Sequence, residues 1–287
     1  MNDRAPNRVG RLWTAAAASM LLWISRALLG SLISYPVVLA IGASSMTSGP
    51  EADAVLFQPG SLLLLELLRV AGPWLASAGR LALLLAALSA LVELIPLAMA
   101  LDLLAFPGRP LLDRVASALR LLPKFLALGA IALLAQAALL LAASLLASAL
   151  RPLLSAADER LRSVAPIALL GLGVLACGAF GGVLDIARAT LVRRGLAEYG
   201  ARRALAHALL CFRARPLDVL SGVYASVAGG VFAYSCAAWL LARQAPSQTS
   251  SAAIALGFGA HQLAVLFAIS CRVRWLGSAL ELSKPNY

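Results

Sequence analysis

The chain has 287 residues, of which 61% are hydrophobic and only 13% charged, with a mean hydropathy of +0.88. Soluble domains carry roughly 45–50% apolar and about 25% charged residues, so a water-soluble globular protein is excluded and an all-α, polytopic membrane helix bundle is expected. The formal net charge of +11 raises nucleic-acid binding as a class, but no basic block is interleaved with aromatic stacking residues, and that class is set aside.

The chain opens with "MNDRAPNRVGRLWTAAAASMLLWIS", which has the basic flank and apolar run of a signal peptide. Arg26 interrupts the run and no A-x-A site follows promptly, so the segment is expected to stay in the mature chain. On a 3.6-residue helix Arg8, Arg11, Ser19 and Arg26 fall on one side, with Leu12, Ala16, Met20 and Trp23 largely opposite. That is the pattern of an interfacial helix.

A hydrocarbon core about 30 Å thick takes roughly 20 apolar residues per helix. Six segments qualify as transmembrane helices, at about 27–44, 80–102, 125–149, 166–187, 219–241 and 252–272. The connections between them are too short to fold separately, so residues 1–287 are read as a single integral membrane domain. After the first span, "PGSLLLLELLRVAGP" offers only a short apolar run, too short to cross. It reads as a re-entrant or outer-surface helix in which Glu66 and Arg69 pair at i, i+3.

The second span carries Glu93 near its middle, three residues before Pro96. A mid-bilayer carboxylate costs roughly 2.5–3.5 kcal/mol and each leucine returns about 0.5, so this leucine-rich span still inserts. Glu93 must then face protein or water. Gln136 in the third span and His261 in the sixth fall at a similar depth. The sequence therefore predicts a midplane polar cluster of Glu93, Gln136 and His261, acting either as hydrogen-bonding glue between helices or as a proton-sharing site.

A second interfacial helix is expected where Asp113, Ser117, Arg120 and Lys124 share a stripe, with Pro123 as its end. A third spans "RRGLAEYGARRALAHALLCFRARP", with Arg194, Glu198 and Arg202 aligned and Pro216 as the stop. The fourth span is glycine-rich and contains Gly178-x-x-x-Gly182, while Gly222, Ser226 and Gly230 recur at four-residue steps in the fifth. Both patterns predict close helix packing. Asp185 and Arg188, at i, i+3, read as a pair at the inner interface, where Asp102 holds a comparable end position.

Of the 24 basic residues, 18 fall on alternate segments that include both termini, so the positive-inside rule places both termini in the cytoplasm. Arginine far outnumbers lysine, and with the Ala and Leu content this points to a GC-rich bacterial genome and an inner membrane. Surface helix, span, outer loop and span occur three times, at 8–104, 110–187 and 193–272, which is the outline of a threefold repeat. The four cysteines contain no C-x-x-C pair, and neither a disulfide framework nor a metal site is expected. H-E-x-x-H, P-loop and G-x-S-x-G motifs are absent, and no cofactor is expected. The Asp185-x-Ala187-Arg188 fragment lacks the glycine and downstream aspartates of membrane enzymes that transfer phosphoalcohols from CDP-linked lipids, so that activity is set aside.

These features predict a non-enzymatic integral membrane subunit or scaffold. Its basic cytoplasmic face would meet anionic lipid headgroups, and its spans other membrane subunits or a second copy. The alternatives are a transporter or permease using the midplane cluster and, more remotely, a membrane-embedded lipid-modifying enzyme near Asp102, Asp185 and Arg188.

Overall fold

The computed structural model describes residues 8–42, 77–86, 88–89, 91–153, 159–194, 200–242 and 251–284. These form an all-helical bundle. Its elements are α1 Arg8–Gly42, α2 Ser77–Ala86, α3 Leu94–Ala105, α4 Leu111–Leu153, α5 Glu159–Arg194, α6 Ala201–Ala214, α7 Pro216–Ala242 and α8 Ser251–Leu282. The expected Glu66–Arg69 helix lies outside the described residues.

Among the described residues, five stretches are long and apolar enough to cross a membrane: Leu12–Pro36, Leu111–Leu150, Val164–Arg194, Pro216–Leu240 and Ala255–Leu282. These are the features of a multi-pass membrane protein. Over the expected second span the described residues 77–86, 88–89 and 91–105 are helical apart from a turn at Glu93. Backbone pairing carries through that turn, from Glu93 N–H to Ser89 O at 2.8 Å and from Leu97 N–H to Glu93 O at 3.2 Å. Pro96 is the reason for the irregularity, because it has no N–H to give to the preceding turn.

Two of the three expected surface helices are continuous with the spans that follow them. α1 runs unbroken from Arg8 through Pro36, and α4 runs from Leu111 through Pro123. Pro123 was expected to end a helix, but it removes only one backbone bond, and Leu121, Phe125 and Leu128 on either side of it enter the same core. That packing holds the rod together across the proline. The third surface helix, α6, is separate. Arg215, at φ −139° and ψ 61°, leaves the helical region before Pro216, which begins α7. The residue before a proline avoids the α conformation, and proline fits the first position of a helix.

The core sits at one end of the bundle, and α5 is its axis. From Gly182 to Val192 every residue except Arg188 is buried. A helix segment buried on all faces must be surrounded, and α3, α4, α6, α7 and α8 all pack on α5. Leu101 of α3, Phe125 of α4, Ala204 and Ala208 of α6, Val219 of α7 and Trp275 of α8 meet around it. A smaller cluster of Ala18, Leu22, Ala100, Ile269 and Val273 joins α1 to α3 and α8.

Away from this end the long helices pair off, α4 with α5 and α7 with α8. Their outward faces there are apolar and uncovered by the chain, with Leu133, Leu134, Leu172, Phe232 and Leu263 each more than 60% exposed.

The packing glycines follow the core. A Cβ on Gly182 would lie 2.4 Å from Val223, and one on Gly222 would lie 2.4 Å from the Trp275 ring. Gly229, which the four-residue spacing passed over, would meet Cys271 Sγ at 2.7 Å. Gly178 and Gly230 face Tyr224 and Ala268 at the ordinary distances of 3.4 and 3.5 Å. The indole at Gly222 is buried and cannot swing aside, so Gly222→Ala is expected to cost about 1–3 kcal/mol by overpacking. Gly230→Ala should be close to neutral. Apparent melting temperatures in one detergent check this pair, and equal losses in both variants would contradict the assignment of the seam.

Candidate functional site

Among the described residues three carboxylates are buried or half-buried, and each is held by arginine. The first is Asp185, on the buried axis of α5 and 0% exposed. Arg272 Nη2 of α8 lies 2.8 Å from its carboxylate, Trp275 Nε1 donates to Oδ2 at 2.8 Å, and Arg188 Nη1 reaches Oδ1 at 3.4 Å. The i, i+3 pair expected from sequence is therefore present, but as one side of a cluster joining α5 to α8. The arrangement follows from helix geometry, since Arg272 and Trp275 are also three residues apart and so share a face of α8.

The second is Asp102, near the end of α3 and 1% exposed. Beyond it the chain turns through Phe106-Pro107-Gly108 and comes back as α4. This brings Arg109 onto Oδ1, with its guanidinium carbon 4.6 Å from the centre of the Phe106 ring, and Arg114 Nη1 to 3.5 Å from Oδ2. Arg114 is itself buried, and its other donors bond the carbonyls of Arg109, Phe106 and Pro107 at 2.8 to 2.9 Å. The turn is thus built around a guanidinium that caps carbonyls released at the end of α3.

The third is Glu93. Its Oε1 accepts from Arg26 Nε of α1 at 2.6 Å. Arg26 was expected on the inner flank of the first span, but it lies within the apolar stretch Leu12–Pro36. Once Arg26 is in the span, an acid at matching depth is its natural partner, because either charge alone in hydrocarbon is expensive.

The expected midplane cluster is replaced by three separate contacts. Glu93 takes Arg26. Gln136 Nε2 donates to the Cys177 carbonyl at 3.4 Å, and Cys177 Sγ to the Gln136 carbonyl at 3.7 Å, across the α4–α5 hairpin. His261 lies against Tyr234 across the α7–α8 hairpin, with ring centroids 6.0 Å apart. Among the described residues, Glu93, Gln136 and His261 share no hydrogen bond or ion pair. The reason is topological: each was expected to reach across the bundle, whereas each finds a closer partner on an adjacent helix. Sequence reading missed Arg26, Arg109, Arg114, Arg272 and Trp275. The available signal was the depth of each basic residue relative to an acid on another span.

The surface helix α6 docks through Ala204, Ala208, Cys211 and Phe212, leaving Arg202, Arg203 and Arg213 exposed. Cys211 Sγ donates to the Leu282 carbonyl at 3.5 Å, tying α6 to the end of α8. Burial pushes the Cys211 thiol above its ordinary range, partly offset by the Arg215 charge. Among the described residues no group of three or more His, Cys, Asp or Glu is placed to hold a metal ion. Compared with known proteins, the chain matches no family model, no curated protein and no solved structure.

Removing one partner of a buried ion pair strands the other charge. Asp185→Asn should therefore destabilise the protein by about 3–5 kcal/mol, because both Arg188 and Arg272 lose their only carboxylate. Asp102→Asn should cost less, about 1–3 kcal/mol, since Arg114 keeps its three carbonyls. Adding Arg272→Gln to Asp185→Asn should recover part of the loss. Denaturant or thermal midpoints of the three variants and the wild type check this order, and a double variant less stable than Asp185→Asn alone would contradict it.

Proposed function

We propose that this chain is a non-enzymatic integral membrane subunit or scaffold of a bacterial inner membrane, with both termini and α6 in the cytoplasm. The observation that carries the reading is the use of charge. Glu93, Asp102 and Asp185 are each engaged by arginine, and the ion pairs of Glu93 and Asp185 join different helices. A permease needs an ionisable group that can exchange its partner for a substrate or proton. These carboxylates instead hold the bundle together.

Two further features support the role. The exposed arginines of α6 lie on the core-bearing side and suit anionic headgroups, at roughly 1 kcal/mol for each basic residue near the surface. The uncovered leucines of α4, including Leu133, Leu134 and Leu141, offer a face that lipid or another membrane helix can cover.

A photo-crosslinking residue placed at Leu134 or Leu141 in the native membrane, followed by gentle extraction and native mass spectrometry, tests this. The expected result is one crosslinked polypeptide of fixed mass, present at stoichiometric ratio in the extracted complex. Crosslinks to lipid alone, together with a bound small molecule that disappears in Glu93→Gln, would replace the subunit with a transporter.

A further inference from the structure

A groove of about 600 Å³ opens between the first turns of α7 and the last turns of α8. One wall carries Asp218 and Ser221 of α7, and the other carries Arg274, Ser278 and Glu281 of α8, with Trp275 and Gly222 also lining it. The residues on each helix recur at three- and four-residue steps, so each set forms a single face turned to the groove. The volume lies within the range of small-molecule sites, roughly 300–1,000 Å³.

The charges here behave differently from those in the body of the bundle. Asp102 and Asp185 are buried and Glu93 half-buried, all three clamped by arginine. Asp218 and Arg274 are exposed, and among the described residues neither side chain has a hydrogen-bond or ion-pair partner. Among the described residues Glu281 is paired only with Lys284, two residues past the end of its own helix. One groove thus holds an unpaired carboxylate and an unpaired guanidinium on opposite walls. A ligand carrying both signs would satisfy both groups at once.

We infer that this groove binds the zwitterionic head of an amino-alcohol phosphate, as in phosphatidylethanolamine. The phosphate takes Arg274, and the ammonium takes Asp218 with the hydroxyls of Ser221 and Ser278. Guanidinium matches phosphate in geometry as well as charge. The acidic wall discriminates against purely anionic heads. A primary ammonium can donate to these oxygens, whereas a quaternary one is recognised by a cage of aromatic faces, and Trp275 is the one aromatic side chain on the groove.

The surroundings favour a lipid as the source. Continuing along the groove-facing sides of the same helices, away from the charged end, the exposed side chains are Phe232 on α7, and Leu263 and Phe267 on α8. A head held at Asp218 and Arg274 would lay its acyl chains along this apolar flank. The inference is independent of the subunit reading, because a scaffold and a transporter alike can hold a structural lipid.

The test uses the full chain in detergent, offered equal amounts of phosphatidylethanolamine, phosphatidylcholine and phosphatidylglycerol, with retained lipid read by native mass spectrometry. Phosphatidylethanolamine should be retained preferentially. Asp218→Asn should lower its retention roughly tenfold while leaving or raising that of phosphatidylglycerol, as expected for losing one charge-assisted contact. Asp218→Glu should restore the preference, and Arg274→Gln should weaken every phosphate-bearing lipid. Both positions are exposed, and unchanged circular dichroism and gel filtration establish that the variants fold.

Soluble O-phosphoethanolamine, titrated by calorimetry, separates the sources. Weak binding beside strong lipid retention identifies the bilayer lipid, and equal affinity identifies a soluble amino-alcohol phosphate. Equal retention of all three lipids, or a preference untouched by Asp218→Asn and Arg274→Gln, would overturn the site.

Discussion

Asp185 sits on the one stretch of helix that the rest of the chain surrounds, and its charge survives there because donors converge on it from two helices. Arg272 and Trp275 reach it from α8 at 2.8 Å each, and Arg188 from its own helix. A lone carboxylate at zero exposure would be strongly penalised. Conversely, Arg188 at this depth would be penalised without the carboxylate. The cluster is therefore a mutual requirement that fixes the rotation of α5 against α8. Trp275, held by Asp185 at its nitrogen, presents its ring to Gly222, so the same interaction sets how closely α7 can approach.

The distribution of the core follows from that anchor. Around Asp185 the packing is many-sided, with α3, α4, α6, α7 and α8 all touching α5. Farther along, the helices associate mainly as two hairpins, and small side chains provide the contact, as where Gly173 meets Ala143. Apolar faces left uncovered there carry no penalty in lipid, where a leucine gains as much from an acyl chain as from another helix. Two tightly paired hairpins joined at one end satisfy both environments.

Much of this architecture could be read from the sequence, because the signals are long-range averages. Apolar run length gave five of the helices able to cross a membrane, and Pro216 marked the start of α7. Glycine spacing pointed to Gly182 and Gly222 but passed over Gly229, since a four-residue step tracks one idealised face while the real seam shifts with the crossing of the helices. The polar pairings were harder. Glu93, Gln136 and His261 were grouped by depth alone, and depth does not say which helices are neighbours. Arg26 escaped notice because a basic residue at the edge of a hydrophobic run looks like a flank. Only the partner that reaches it from α3's side shows that the run continues past it on both sides.

That correction also bears on where the bilayer lies. Asp102 and Glu93 are nine residues apart along nearly continuous helix, about 13 Å at 1.5 Å per residue. If the Asp102 end, with Arg109 and Arg114, sits at headgroup depth, the Glu93–Arg26 pair falls close to the middle of a hydrocarbon core about 30 Å thick. α4, with 43 residues, would extend about 65 Å, roughly twice that thickness. Its first turns, where Asp113 and Arg120 are exposed, must then lie beyond the hydrocarbon. Surface helix and span are thus one rod entering the membrane, and the acid–arginine clamps mark its depth.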